Sequence, residues 1–326
     1  MNLNAFFPLS VPLLLAGLMF SLLGCYTDVE TDQVAEPKVS RKLSSEANDG
    51  RYVFEDGSVY EGELVLGLPN GFGTLEFVSG NIYEGQFSEG LANGHGTMRY
   101  KADEEIEKYS GNWDNGRRSG YGNLYFMDGG KQVGHWENDQ LIFGQFERPD
   151  GSVYIGRWKD GAFFEGEVLL SDGDRYSGRF DLSGNMVSGL LVMADSSSYF
   201  GDFTDGVLEG RGVSISIDGE IYTGNFLQGE RKGSGILTSS GDALYIGEFD
   251  NGLPNGEGTQ IDPSGVRYVG SWSDGVRNGP GSLEFGDGTS FTGEFEAGLA
   301  KEGIDDWGDG RKTDSYQDEF GNWKDR

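Results

Sequence analysis

The chain has 326 residues, of which 54 are Asp or Glu and 25 are Lys or Arg, for a net charge of −29. That charge excludes nucleic acid and bare anionic membrane as ligands of the folded surface, because phosphate repels such a protein. A single cysteine excludes an internal disulfide and a thiolate metal cluster, and 13% aromatic residues exclude a wholly disordered chain.

The first element is apolar. Met1 to Gly24 carries no charged side chain, and "VPLLLAGLMFSLLGC" runs from Val11 to the only cysteine, Cys25. That is a hydrophobic region of ordinary signal length followed by a small residue, Gly24, before the cut. "LLGC", Leu22 to Cys25, resembles a bacterial lipoprotein lipobox. The resemblance implies a signal peptide over 1–24 and a Cys25 that receives a lipid and becomes the first mature residue. Tyr26, where inner-membrane retention would use Asp, resembles export to the outer membrane. The opening "MNLNAFFPLS" lacks the usual basic residue, and an uncleaved signal anchor is the alternative reading. Residues 25–50, "CYTDVETDQVAEPKVSRKLSSEANDG", are polar and aperiodic, a tether with no core to bury.

From Tyr60 onward the chain repeats. A unit opens at Tyr60, Tyr83, Tyr109, Gln132, Tyr154, Tyr176, Tyr199, Tyr222, Tyr245, Tyr268 and Phe291, mostly 23 residues apart. A glycine follows two positions after every opening, and an aromatic two positions further in all units but the first, which has Leu64. Such regularity marks a repeat array. In a strand, residues i, i+2 and i+4 share a face, so Tyr83, Gly85 and Phe87 lie together while Glu84 and Gln86 point away. The bare glycine invites a ring from a neighbouring strand to lie over it. "SEGLANG" and "DNGLPNG" read as hairpin turns, and "GFGTLEF" and "GPGSLEF" as return strands. Each unit is then a β-hairpin that buries its aromatic face only by stacking on its neighbours. Some 22 strands at roughly 4.8 Å each predict a rod about 100 Å long. "RYVFEDGSVY" (51–60) reads as a half-unit at the start. "YQDEFGNW" (316–323) reads as one at the end, with Asp318 in the glycine position.

The phrase Tyr-x-Gly-x-Phe-x-x-Gly-x-x-x-Gly-x-Gly resembles the MORN (membrane occupation and recognition nexus) repeat, over residues 51–326. The resemblance implies an all-β fold, an elongated meander of antiparallel hairpins with an open groove. It also implies a role as a scaffold or adaptor near membranes, and it names no ligand.

The Gly-x-Gly pair is intact in units one to three and seven to ten. In units four to six its first glycine is replaced, by Ile142, Phe164 and Val187. The surroundings are apolar, with Phe143, Phe163 and Leu191 close by in sequence. Two readings stand: repeat drift in which larger side chains fill the space given up by glycine, or an apolar strip for docking a protein partner. The basic pairs Arg117-Arg118 and Arg231-Lys232, and Lys301 with Arg311-Lys312, read as solvated turn residues.

No catalytic constellation appears. His95 and His135, the only histidines, read as surface residues in a turn and on the polar side of a strand. "DDWGDG" (305–310) has Asp305, Asp309 and Gly310 at calcium-loop spacing, but Trp307 stands where an oxygen ligand belongs. The expectation is a non-enzymatic protein without cofactor or metal, a lipid-anchored scaffold of the cell envelope, at the outer membrane, presenting repeats to a protein partner. The alternative is a binding module whose aromatic groove holds lipid headgroups or envelope polysaccharide. Self-association through an end hairpin is a further expectation, since terminal strands invite edge pairing.

Overall fold

The computed structural model describes residues 50–101, 105–317 and 323–325. Cys25, the leader, most of the tether and Asp318 lie outside the described residues. These contain twenty-five β-strands and no helix. They divide into two compact units, the first ending at Gly184 and the second beginning at Asn185. The first holds twelve strands, Arg51–Val53 to Arg175–Phe180, and the second thirteen, Met186–Val192 to Trp323–Asp325. Within each unit, strands pair antiparallel with their chain neighbours, so each is a meander.

Two kinds of turn alternate. Within a repeat, Ile82–Ser88 is joined to Leu91–Arg99 by Glu89 and Gly90, with φ of 52° and 91°. Positive φ at both central residues is the type I′ hairpin, whose twist matches that of the strands. The phrase "LANG", expected in the turn, is therefore already return strand. Between repeats, the Gly80 amide donates to the Phe77 carbonyl at 2.8 Å, and Phe77 donates to Asn81 at 2.9 Å. That closes the "SG" connection as a hairpin loop with a left-handed glycine.

The register sets the glycines against one another. In the first unit Gly62 faces Gly73, which faces Gly85, then Gly96, Gly111, Gly122, Gly134, Gly144, Gly156, Gly166 and Gly178. The second unit repeats this row from Gly189 to Gly303 and ends it on Ser315. Ser315, and not Asp318, thus holds the glycine position of the last half-unit, with Thr313 rather than Tyr316 in the opening position. The Ser315 hydroxyl donates to the Asp305 carboxylate at 2.5 Å.

The row exists because Tyr60, Tyr83, Tyr109, Tyr222, Tyr245 and Tyr268 fold back over it, while Leu208 stands over Gly201 and Gly212 in the Tyr199 repeat. A Cβ on Gly96 would overlap the Tyr83 phenol, and one on Gly85 would meet the same hydroxyl and the Gly96 backbone. The covering ring comes from the glycine's own strand, two residues earlier, and not from a neighbouring strand as the pattern suggested. It covers its own glycine and the one opposite. The hydroxyl is then aimed at the bulge in the hairpin. Tyr83 donates to the Gln86 carbonyl at 3.0 Å, and Tyr60, Tyr109, Tyr176, Tyr222, Tyr245 and Tyr268 each donate likewise to the carbonyl three residues on.

The second aromatic of each repeat fills the gap between successive tyrosines. Phe87 sits edge-on to Tyr60 at 4.7 Å and to Tyr83 at 5.1 Å between ring centroids. Trp113 does the same between Tyr83 and Tyr109, and in the second unit Phe249 and Trp272 bridge Tyr222, Tyr245 and Tyr268. Such pairs contribute about 0.5–1.5 kcal/mol each beyond burial, so a sheet without a second layer makes its core from one interleaved row of rings.

Candidate interaction surface

The interrupted repeats differ in backbone before they differ in side chain. In an intact unit, Gly85 faces Gly96 and Phe87 faces Ala92, leaving two extra residues on the return strand. Gly94, the first glycine of its pair, makes that bulge with a φ of 96°. Around Ile142, Gly134 faces Gly144 and Trp136 faces Leu141, so only one residue is extra. Phe164 is likewise the single unpaired residue between Phe163 and Glu165. Neither Ile142 nor Phe164 has positive φ. At Ile142 and Phe164 the larger side chain does not fill the place of a lost glycine. The strand there is one residue shorter, and the left-handed position that required glycine is gone. Val187 instead stands in a repeat of intact length, thirteen positions from Tyr176 to Gly189.

The six candidate docking residues are placed differently from one another. Phe143 is 57% exposed on the outer side, opposite His135 and Arg157. Ile142 and Phe164 are half-buried, and Val187 is exposed. Phe163 and Leu191 are core residues: Phe163 is 7% exposed and packs edge-on against Tyr154 and Trp158. Phe163 and Leu141 also take over the cover of the glycine row, approaching Gly166 and Gly134 where unit four has no tyrosine and Tyr154 does not reach. Val187 and Leu191 lie in the second unit and the other four in the first.

The indole donors at the second aromatic position are not all satisfied. Trp113, Trp136 and Trp272 donate their indole N–H to the carbonyls of Gly96, Gly122 and Gly258, at 3.2–3.4 Å. The buried Trp158 indole N–H has no partner among the described residues.

Of the basic residues read as solvated, Arg117, Lys232, Arg311 and Lys312 are exposed, and Arg118 and Arg231 are corrections. Arg118 is 4% exposed and stacks over Trp136 at 4.9 Å, with its Nε donating to the Asp139 carboxylate at 3.2 Å. Arg231 lies over Tyr222 and Arg277 over Tyr268, at 5.1 and 4.8 Å. All three stand nine residues after a repeat opening, facing the second aromatic, where other units place Pro69, Ala92, Leu208 or Pro254. The guanidinium is a core group that carries its charge to the rim.

His95 and His135 are both exposed, and His95 lies on the strand Leu91–Arg99 rather than in a turn. In "DDWGDG" the carboxylates serve the turn: Asp306 accepts from the Gly308 amide, and Asp309 from the Arg311 amide and Nε. An open cleft of about 630 Å³ in the second unit is lined by Glu294, Glu296 and Glu302, with Phe295, Lys301 and Tyr316. Its only cation, Lys301, is paired with Glu296 at 3.5 Å.

The tyrosine folded over a facing glycine pair, with a second aromatic two residues beyond, is the repeated unit of this surface. Residues 60–82, 83–102, 109–131, 199–221, 222–242, 245–267 and 268–290 each match the family description "MORN repeat". The chain carries seven MORN repeats. The unmatched stretch 132–198 contains the shortened bulges after Gln132 and Tyr154, and the unmatched repeat that opens at Phe291 has a bulge of the same shortened kind. No curated protein is significantly similar to the chain. Among solved structures, it is similar to the SAS-4 (dCPAP) TCP domain of Drosophila melanogaster in complex with a proline-rich motif of Ana2. The identity is 12% over 52% of this chain and 86% of that one, with a TM-score of 0.31. The TCP10 domain of Danio rerio CPAP in complex with a STIL peptide is 11% identical over 64% of this chain and 97% of that one, with a TM-score of 0.29.

Proposed function

We propose that the protein is a non-enzymatic, lipid-anchored scaffold of the bacterial cell envelope, held at the outer membrane through Cys25 and displaying its MORN repeats to protein partners. The observation that carries the reading is the position of the only cysteine. It closes an uncharged apolar leader and stands ahead of a polar stretch and the hairpins. Acylation supplies about 0.8 kcal/mol per buried CH₂, and two or three chains make a stable anchor. With a net charge of −29 the repeats need such an anchor, because like charge keeps them off an anionic leaflet.

The ring face argues for a scaffold over a binding groove. The hydroxyls of Tyr60, Tyr83 and Tyr109 are committed to bulge carbonyls, and the rings are buried in the core with Leu75, Met98 and Leu124. The open cleft near Glu294 repels a phosphate headgroup.

The test is fractionation of cells expressing the full chain or Cys25→Ala, with fatty-acid labelling. Label on the parent and its loss, together with release of Cys25→Ala from the membrane, supports the reading. A Cys25→Ala chain that stays wholly with the membrane removes the anchor from it.

A further inference from the structure

The outer face of the sheet, opposite the rings, is read by the residues one before and one after each opening position. In the second unit these form two parallel cross-strand rows. One runs Leu190, Phe200, Val213, Thr223, Ile236, Ile246 and Thr259, each directly opposite the next. The other runs Val192, Ser198, Ile215, Ile221, Thr238, Leu244 and Ile261 in the same register. These fourteen positions on seven strands include no charged residue, in a chain that is 24% charged. Phe200 is 58% exposed and Ile246 46%, and Leu190, Ile221 and Ile236 are exposed as well.

The first unit provides the comparison within the same molecule. Its equivalent rows over the first seven repeat strands carry Glu61, Glu76, Glu84, Arg99, Lys108 and Lys131. The outer face of a hairpin therefore accepts charge without difficulty. In the second unit itself the row through Ile261 continues into Arg267 and Glu284, so the neutral stretch is bounded to the seven strands from Met186–Val192 to Leu253–Ile261.

We infer that this neutral face is an interface with a second copy of the chain, sheet packed on sheet about a twofold axis near Ile221 and Thr223. Three observations select that occupant. A flat apolar face with no charge pattern is complementary to itself, which an isologous interface requires. Two copies at −29 each repel wherever charged surfaces meet, and these rows are where they can approach without that penalty. The exposure of the two rows amounts to several hundred Å² per copy, on the order of the 800 Å² each partner gives a standard interface. β-branched and aromatic side chains on facing sheets interdigitate at a separation of about 10 Å. Along one side of the rows stand Asp202, Arg211, Glu248 and Glu257, a charged margin beside the apolar positions. The same margin disfavours an anionic lipid surface as the occupant. This interface is distinct from edge pairing of the terminal strands, and it does not depend on Cys25.

The test is sedimentation of the full chain in mild detergent, with protein mass separated from detergent mass. The expected result is a dimer for the parent and half that mass for Phe200→Glu with Ile246→Glu, while Ile155→Glu on the first unit's outer face leaves the dimer intact. A monomeric parent at micromolar concentration overturns the inference, and neutral-vesicle binding by that monomer would assign the face to lipid. A dimer that survives both glutamates also overturns it, by placing self-association elsewhere. Should the double variant fail to fold, Thr223→Cys in a Cys25→Ala chain gives the answer without adding charge. Oxidation then locks a covalent dimer if the two faces meet and leaves single chains if they do not. None of these outcomes changes the fractionation of Cys25→Ala.

Discussion

Tyr83 lies over Gly96, on the paired strand, so closely that a single methyl group on that glycine would occupy the phenol's own volume. The pair joins local sequence to tertiary packing. The glycine is bare so that the ring can lie flat, and the ring lies flat so that its hydroxyl reaches the Gln86 carbonyl at 3.0 Å. It follows that Gly96→Ala destabilises its hairpin by about 1–3 kcal/mol, the range for overpacking a filled core. Gly241 has open space at its Cβ position and no positive φ, so Gly241→Ala is neutral or slightly stabilising. Urea unfolding of the two variants, followed by tryptophan fluorescence, separates them. Equal midpoints would mean that the ring moves aside at no cost.

The hairpins were legible in the sequence because a period of about 23 with an invariant glycine leaves few alternatives. The shortened bulge was countable as well. In intact units Gly73 stands thirteen positions after Tyr60 and Gly96 thirteen after Tyr83, but Gly144 stands twelve after Gln132 and Gly166 twelve after Tyr154. The burial of Arg118 had a signal in the apolar residues that other units carry at its position. What alternation does not contain is which ring folds over which glycine, because Tyr83, Gly85 and Phe87 share a face under either arrangement. The neutral outer rows do not show in the position after each glycine, which is polar in every unit from Glu63 to Glu294, but in the one before it, which changes from Glu61 and Glu84 to Phe200 and Ile246.

The indoles make a second comparison. Trp136→Phe leaves the Gly122 carbonyl without its buried donor, which costs about 1–3 kcal/mol. Trp158→Phe removes an N–H that has no partner, so the lost volume is offset by relief of a desolvated donor. The expected order is a clear loss of stability for the first variant and a small change for the second, in matched thermal unfolding scans. A larger loss at Trp158 would show that its N–H is satisfied in solution.

Arg118 and Asp139 form the most buried ion pair among the described residues. Asp139→Asn keeps a side chain that tolerates its φ of 71° but leaves the guanidinium without its counter-charge. The expected cost is roughly 3 kcal/mol, at the lower end for breaking a buried pair because Asp139 is partly exposed. Arg118→Met retains the packing on Trp136 and removes the charge, so it costs less, and the double variant costs less than the sum. A double-mutant cycle in urea reads the coupling. Strict additivity would show that the pair contributes no energy of its own.

Alkaline pH tests the ring row as a whole. Burial raises the ionisation of Tyr245 from the ordinary value near 10 to about 12, with the neighbouring Glu248 charge acting in the same direction. Burial also raises Tyr83, Tyr109, Tyr222 and Tyr268. A group whose folded pKa lies above its unfolded value contributes stability that is fully present below the unfolded value. Between pH 10 and 12 the unfolded chain releases the Tyr245 proton while the folded chain keeps it, so stability falls as pH rises through that window. The ionised phenol also loses the proton it donates to the bulge carbonyl, so hydroxyl and hairpin give way together. The expected result is a rise in tyrosinate absorbance that coincides with loss of the strand circular-dichroism signal. Full tyrosine ionisation with the strands intact would mean that these hydroxyls reach water in the folded chain, and the lock between Tyr83 and Gly96 would be looser than the structure draws it.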